Sequence, residues 1–535
     1  MDAWNIVRSS MSGNNMDKDT REMEIVKKNT RLQISGNLLV RNTLFNLVGQ
    51  VAPLLVGVIT IPFVVRGLGT ERFGLLSLAW VVLGYFTIFD LGLGRATTKF
   101  VAEALGKGET DQVPHLVWTS VTIQAILGIL GATVLVGVTP FLVGRILKIP
   151  PALVNEAKVT FYLLSLSVPV VLVSTSFRGV LEAAQRFDLV NAVKIPISGL
   201  TFLLPLVGLF LGFRLPGIVA LILAARMGAL MAFFAMDLRV IPHLKKYANS
   251  FALFPSLFSF GGWVTISSII GPIFTYLERF LIASFLSVGI LTFYAVPYDI
   301  ISRVVIIPTS MFMVLFPTFS HVVSVNYKAA RELFARPFTY LLFVMVPILI
   351  VGVVFADEIL KLWLGSEFSQ KSTTVFQVLT IVFFFHAFAY LPFAAIQGAG
   401  RPDLKAKLDL LMLPIFVGLC WWLIPELGLL GVALAKLLVT LIDLLCLSWM
   451  AKRLFGFSIK EMLGERVEKA LVMAISFTLV ALSFRRILLK PTMVDIIVIG
   501  AFVFAYLFMF VKTVMDDKDK ATIRNVLKSF LLRRT

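Results

Sequence analysis

The sequence predicts an all-α polytopic membrane protein of about 14 transmembrane helices, arranged as two parallel six-helix repeats followed by two further helices. Three observations predict it. The 535-residue chain is 58% hydrophobic and only 15% charged, with a mean hydropathy of +0.91. A soluble protein of that length could not hide so much apolar surface. Basic residues gather in every second connection between apolar stretches. Short motifs recur in order at a spacing of about 215 residues.

The spans come first. About 20 apolar residues in helical form cross a bilayer core. Segments of that kind cover residues 42–66, 73–94, 115–141, 154–178, 189–213, 215–239, 254–282, 288–318, 334–355, 373–398, 404–425, 429–450, 468–488 and 492–513. Prolines inside them, among them Pro53, Pro62, Pro169, Pro196, Pro205, Pro297 and Pro414, each remove a helix hydrogen bond and favour a bend. Bent helices suit a protein that rocks between two openings. They also occur in static bundles. Cys420 and Cys446 both fall inside spans and read as small packing residues.

Loop charge gives the orientation. The N-terminal tail carries Arg8, Lys18, Arg21, Lys27, Lys28, Arg31 and Arg41, and alternate connections carry clusters such as Arg95/Lys99/Lys107 and Arg401/Lys405/Lys407. Counted this way, about 33 basic residues lie on one side and about 10 on the other, so both ends are expected in the cytoplasm. The formal charge of +18 is mostly this topological signal and not a nucleic-acid footprint. The polar first 40 or so residues hold no apolar core of a signal peptide. The closing "ATIRNVLKSFLLRRT" gathers Ile523, Leu527, Phe530 and Leu531 on one face, as an interfacial helix would.

The repeat sets the domain plan. "LEAAQRFDL" at 181–189 matches "IQGAGRPDL" at 396–404, "FGLLS" at 73–77 matches "VGILT" at 288–292, and "PGIVA" at 216–220 matches "LGVAL" at 430–434. A duplicated unit with an even number of spans gives parallel repeats, with the substrate site expected between them. The expected plan is a cytoplasmic tail over 1–41, an N-lobe over 42–240, a C-lobe over 241–452, two extra helices within 453–514, and a basic cytoplasmic tail over 515–535. The repeated R-x-D-L is expected to stop one helix and cap the next through its Asp.

Ionisable groups in the spans are the candidate site residues, because each costs about 2.5–3.5 kcal/mol in hydrocarbon by insertion scales. Arg226 stands near mid-membrane among Ala224, Ala225, Gly228 and Ala229. Asp299 and Arg303, in "YDIISR", share a helix face at i,i+4. They read either as a buried ion pair or as an arginine held by its acid for an anionic substrate. If Arg226 and Arg303 face one interface, the cavity is cationic and suits phosphate or pyrophosphate. Lys194 and Arg279 join them as candidate substrate contacts, with snorkelling to the interface as the alternative. Asp90, Glu278, His386, Lys436 and Asp443 are candidates for coupling or gating, with packing and interhelical polar contacts as the plainer reading.

These residues carry a resemblance. "FDLGLGRATTKFVAEALGKGE" at 89–109 resembles the F-D-x-G-x-x-R run closing the second helix of bacterial polysaccharide and oligosaccharide flippases, O-antigen flippases among them. "LERFLIASFLSVGILTFYAVPYDI" and "MVLFPTFS" resemble the helix 7–8 region of the same family, part of the multidrug/oligosaccharidyl-lipid/polysaccharide exporter superfamily. The resemblance implies a two-lobed fold with alternating access in the bacterial inner membrane. It implies transport of undecaprenyl-pyrophosphate-linked oligosaccharide from the cytoplasmic to the periplasmic leaflet, coupling to protons or sodium with no other cofactor, and a link to polysaccharide polymerase machinery. A lipid II flippase and an ion-coupled multidrug exporter are the neighbouring alternatives. Enzyme chemistry is not expected: the outer connections are short and carry no carboxylate pair at metal-ligand spacing, and no phosphate-binding glycine loop occurs.

Overall fold

The computed structural model describes residues 36–85, 93–250, 276–312, 327–455, 459–487 and 493–517, with residues 252, 255, 315 and 520 besides. The chain divides into two units, residues 1–52 and residues 53–535. In the first, residues 36–52 are helical. The expected N-terminal tail, the C-terminal amphipathic segment and Asp90 lie outside the described residues.

Helices account for the larger unit. Helix α1 (Gly36–Tyr85) joins the first two predicted spans through a kink at Gly69, whose φ of 78° and ψ of 163° are non-helical. It is followed by α2 (Leu93–Lys107), α3 (Gln112–Phe141), α4 (Val154–Ala183), α5 (Phe187–Phe210) and α6 (Leu215–Val240). The seventh predicted span is described only at its end, as α7 over 276–285. Then come α8 (Val288–Ile301), α9 (Tyr327–Val354), the short α10 (Ala356–Leu364), α11 (Ser366–Gly398), α12 (Pro402–Leu427), α13 (Leu429–Phe455), α14 (Ile459–Ile487) and α15 (Met493–Thr513). Among the described residues, nine helices are long and apolar enough to cross a membrane. The chain is an all-α integral membrane protein. Large apolar side chains that the protein leaves uncovered, such as Ile129, Leu445 and Phe504, stand where lipid covers them. Trp421 and Trp422, near the end of α12, are exposed as side chains of an interfacial belt are.

Packing partners recur along the chain. In the first half α4 packs on α3 and α6, and α5 on α6; in the second, α11 packs on α9 and α13, and α12 on α13. Close approach is bought by small residues: a Cβ on Gly128 of α3 would stand 2.5 Å from the Pro169 Cα of α4. Buried hydroxyls tie the same region. Thr97 of α2 meets Ser120 of α3 at 2.5 Å, Ser120 meets Ser176 of α4 at 2.9 Å, and Ser176 donates to the Gln124 amide oxygen at 2.8 Å.

The R-x-D-L turn appears twice with the same geometry. Arg186 N bonds Leu181 O, and Arg401 N bonds Ile396 O. The preceding residues, Gln185 and Gly400, have φ of 58° and 74°. Arg186 forks onto Asp188 at 3.0 and 2.9 Å, and Arg401 onto Asp403 at 2.9 and 3.2 Å. The expected cap is corrected here. The N-cap positions belong to Arg186 and Arg401, and the acids lie in the first helical turn. There they favour the helix dipole and hold the preceding arginine.

The two halves meet along one rim, at the kink of α1, the connection after α3 and the turn between α7 and α8. Lys148 N donates to Ala283 O at 3.0 Å, and Val288 N to Lys148 O at 3.3 Å. Thr292 Oγ1 donates to Thr70 O at 2.6 Å, and Trp363 Nε1 to Val58 O at 2.7 Å. A side chain on Gly74 would collide with the Val288 carbonyl, so glycine permits this contact. Helices α14 and α15 pack on α9, where the Tyr506 hydroxyl donates to Leu342 O at 3.1 Å.

Candidate functional site

Charges in the second half are gathered by α7, α8, α12 and α13. Consecutive residues of α7 point to different partners. Glu278 is fully buried; its Oε2 accepts from Lys436 Nζ of α13 at 2.6 Å and from the Tyr294 hydroxyl of α8 at 3.0 Å. Arg279, 4% exposed, pairs with Asp299 of α8 and donates to Ser77 Oγ in the first half at 2.9 Å. Tyr298 lies between the two pairs. Its ring is 5.5 Å from the Arg279 guanidinium carbon and 4.6 Å from Lys436 Nζ, a cation–π arrangement on both sides.

A second cluster lies one to two turns along. Lys405 of α12 donates to Asp409 at 2.7 Å and to Asp443 of α13 at 2.8 Å. Between the clusters is a cavity of about 470 Å³, lined from α7, α8, α11, α12 and α13. His386 of α11 stands in its wall, edge-on to Phe383 and Tyr390. Neither α14 nor α15 contributes a lining residue.

Several expectations change. Asp299 does not hold Arg303; its partner is Arg279. The i,i+4 spacing fails because the α-helix ends at Ile301 and a 3₁₀ turn runs over Ser302–Val305. At three residues per turn, the fourth position rotates away from its mate. Arg303 is exposed. Arg279 is not interfacial but buried. Lys405, counted with the loops, lies inside the α12 span. Lys436 and Asp443 do line one cavity, as their shared face implies. Arg226 lies on α6, and its Nε is buried without a hydrogen-bond partner among the described residues. Neither Arg226 nor Arg303 lines this cavity, and Lys194 is exposed on α5.

Sequence reasoning missed Lys405, Asp409 and the tyrosines Tyr276, Tyr298 and Tyr390. The Lys405/Asp409 spacing of four was available as a signal, but Lys405 stands three residues after Pro402, where a loop and a first helical turn read alike. Among the described residues, no group of three or more His, Cys, Asp or Glu is placed to hold a metal.

An all-α bundle of long apolar helices with charges buried across its spans defines an integral membrane protein. The family described as "Polysaccharide biosynthesis protein" matches over residues 39–323, more than half of the chain, and the chain belongs to it. It is 27% identical over 416 residues to a putative O-antigen transporter of Shigella flexneri, covering 78% of this chain and 98% of that one. The fold is that of transporters of the MOP superfamily. A lipid II flippase in an inward closed conformation aligns with a TM-score of 0.65 at 14% identity, over 91% of this chain and 100% of that chain. A MATE family multidrug transporter in an inward-facing conformation aligns at 0.64 and 15% identity, over 78% of this chain and 96% of that chain.

Proposed function

We propose that this protein flips an oligosaccharide carried on undecaprenyl pyrophosphate from the cytoplasmic to the periplasmic leaflet, by alternating access between its halves. The observation that carries the reading is the contact between halves along one rim. Backbone and side-chain hydrogen bonds from residues 58–77 and 148 to residues 279–292 and 363 close that rim. The loop charges assign it to the periplasmic side, so this state would accept cargo from the cytoplasm. The kinship with a putative O-antigen transporter supports a lipid-linked saccharide as cargo.

Arg226 and Arg303 serve in this reading as contacts for the pyrophosphate, each offering a planar fork of donors. The buried pairs Glu278–Lys436 and Lys405–Asp443, together with His386, are the coupling elements, driven by a proton or sodium gradient. Asp90 serves with them in this reading. The test is flipping in liposomes of a fluorescent polyprenyl-pyrophosphate saccharide, with and without an imposed proton or sodium gradient. Protein-dependent loss of the probe from the cytoplasm-equivalent leaflet is expected. Transport of lipid II or of an organic cation, with no movement of the saccharide probe, would replace this reading by one of its neighbours.

A further inference from the structure

The cavity in the second half has a chemistry distinct from that of a phosphate site. It measures about 470 Å³, within the range of small-ligand pockets. Its length follows from α13. Lys436 and Asp443 both line it and are seven residues apart, which is about 10 Å of helix. Both ends carry paired charges, and the Lys405 end holds one carboxylate in excess. At one, Lys436 is engaged by Glu278 and by the face of Tyr298. At the other, Lys405 is held between Asp409 and Asp443. Two ammonium groups therefore meet three carboxylates, and no cation is left over for a phosphate.

Between these ends the lining carries no Asp, Glu, Lys or Arg among the described residues. His386, Tyr390 and Thr440 line the cavity there. Among the described residues, the imidazole nitrogens of His386 and the hydroxyls of Tyr390 and Thr440 make no hydrogen bond. None of these atoms is among the fully buried polar atoms without a partner. Around them stand Phe383, Phe416, Met412 and Val439. Neutral donors and acceptors on aromatic and aliphatic walls match a sugar ring, which presents hydroxyls at its edge and C–H groups on its faces.

We infer that this cavity is a binding pocket for one uncharged sugar unit, held by His386, Tyr390 and Thr440 between the two charge-paired ends. The inference rests on the flippase reading and adds to it a separate place for the glycan, away from the arginines assigned to the pyrophosphate. Charge would exclude a uronate from the pocket, because its carboxylate would face Asp409 and Asp443.

The experiment is ligand-observed NMR on the purified full chain in nanodiscs. The probes are methyl glycosides of a hexose, a 6-deoxyhexose and an N-acetylhexosamine, with a methyl uronide as the charged control. At least one neutral glycoside should bind saturably, more tightly than the uronide, and inorganic pyrophosphate should not displace it. Tyr390→Phe with Thr440→Val should weaken binding by about 10-fold, the loss of one to two hydrogen bonds. Val439→Phe, which fills the space and keeps an apolar wall, should abolish it and guards against misfolding of the first variant; melting temperature reports folding of both. Absence of any saturable glycoside, unchanged affinity in both variants, or displacement by pyrophosphate would overturn the pocket. The liposome assay separates the two readings. Flipping without glycoside binding removes the pocket alone, whereas glycoside binding without flipping removes the transport reading.

Discussion

At the scale of the residue, the informative groups are charges that lipid would penalise. Arg279 and Asp299 are a buried pair. Removing one member leaves the other uncompensated, at a cost of about 3–5 kcal/mol. Asp299→Asn should therefore lower yield and melting temperature in detergent, and Arg279→Met with Asp299→Leu should recover much of the loss. A mild Asp299→Asn would show that Arg279 finds another partner. Arg226 and Arg303 have a different expectation, because neither is in an ion pair among the described residues. A charge-assisted hydrogen bond to phosphate is worth about 1.5–3 kcal/mol. Arg226→Ala or Arg303→Ala should cut flipping by about 10-fold or more at normal abundance, and lysine at either position should restore only part, since the bidentate fork is lost. Normal flipping by the double alanine variant would remove both from the site.

Elements are where the repeated turn can be tested. Both copies need a residue at positive φ. One supplies Gly400, at 74°, and the other supplies Gln185, at 58°. A side chain in the left-handed region costs about 1–2 kcal/mol. Gln185→Gly should raise the melting temperature and Gly400→Ala should lower it, by amounts of about 1 kcal/mol each. No atom lies within 4 Å of a Cβ built at Gly400, so the cost there is conformational and not a clash. Opposite signs from the two substitutions, read by thermal unfolding, are the expected outcome. Equal signs would mean that side-chain packing and not φ governs the turn.

For the whole molecule, the closed rim is the state to trap. The Thr70 carbonyl and the Thr292 hydroxyl are 2.6 Å apart across the halves. In a background free of Cys420 and Cys446, cysteines at 70 and 292 should cross-link under oxidation and halt flipping, and reductant should restore it. Alternating access requires the rim to part, so full transport by the cross-linked protein would exclude that mechanism.

Composition and hydropathy were enough to place the nine described apolar helices with ends within about seven residues, because hydrocarbon length is a one-dimensional constraint. The 215-residue recurrence likewise pointed to the two R-x-D-L turns, whose geometry is local. The break at Gly69 falls in the connection expected between the first two spans, but the 3₁₀ turn after Ile301 was not legible, since a helical face is assigned by assuming an unbroken period. Partners of buried charges were the largest gap. Glu278 and Arg279 are neighbours in sequence, yet Lys436 stands 158 residues from the first, and Ser77 stands 202 from the second. A charge in a span announces that it must be neutralised. Which group does so depends on which helices lie side by side, and that is settled by packing alone.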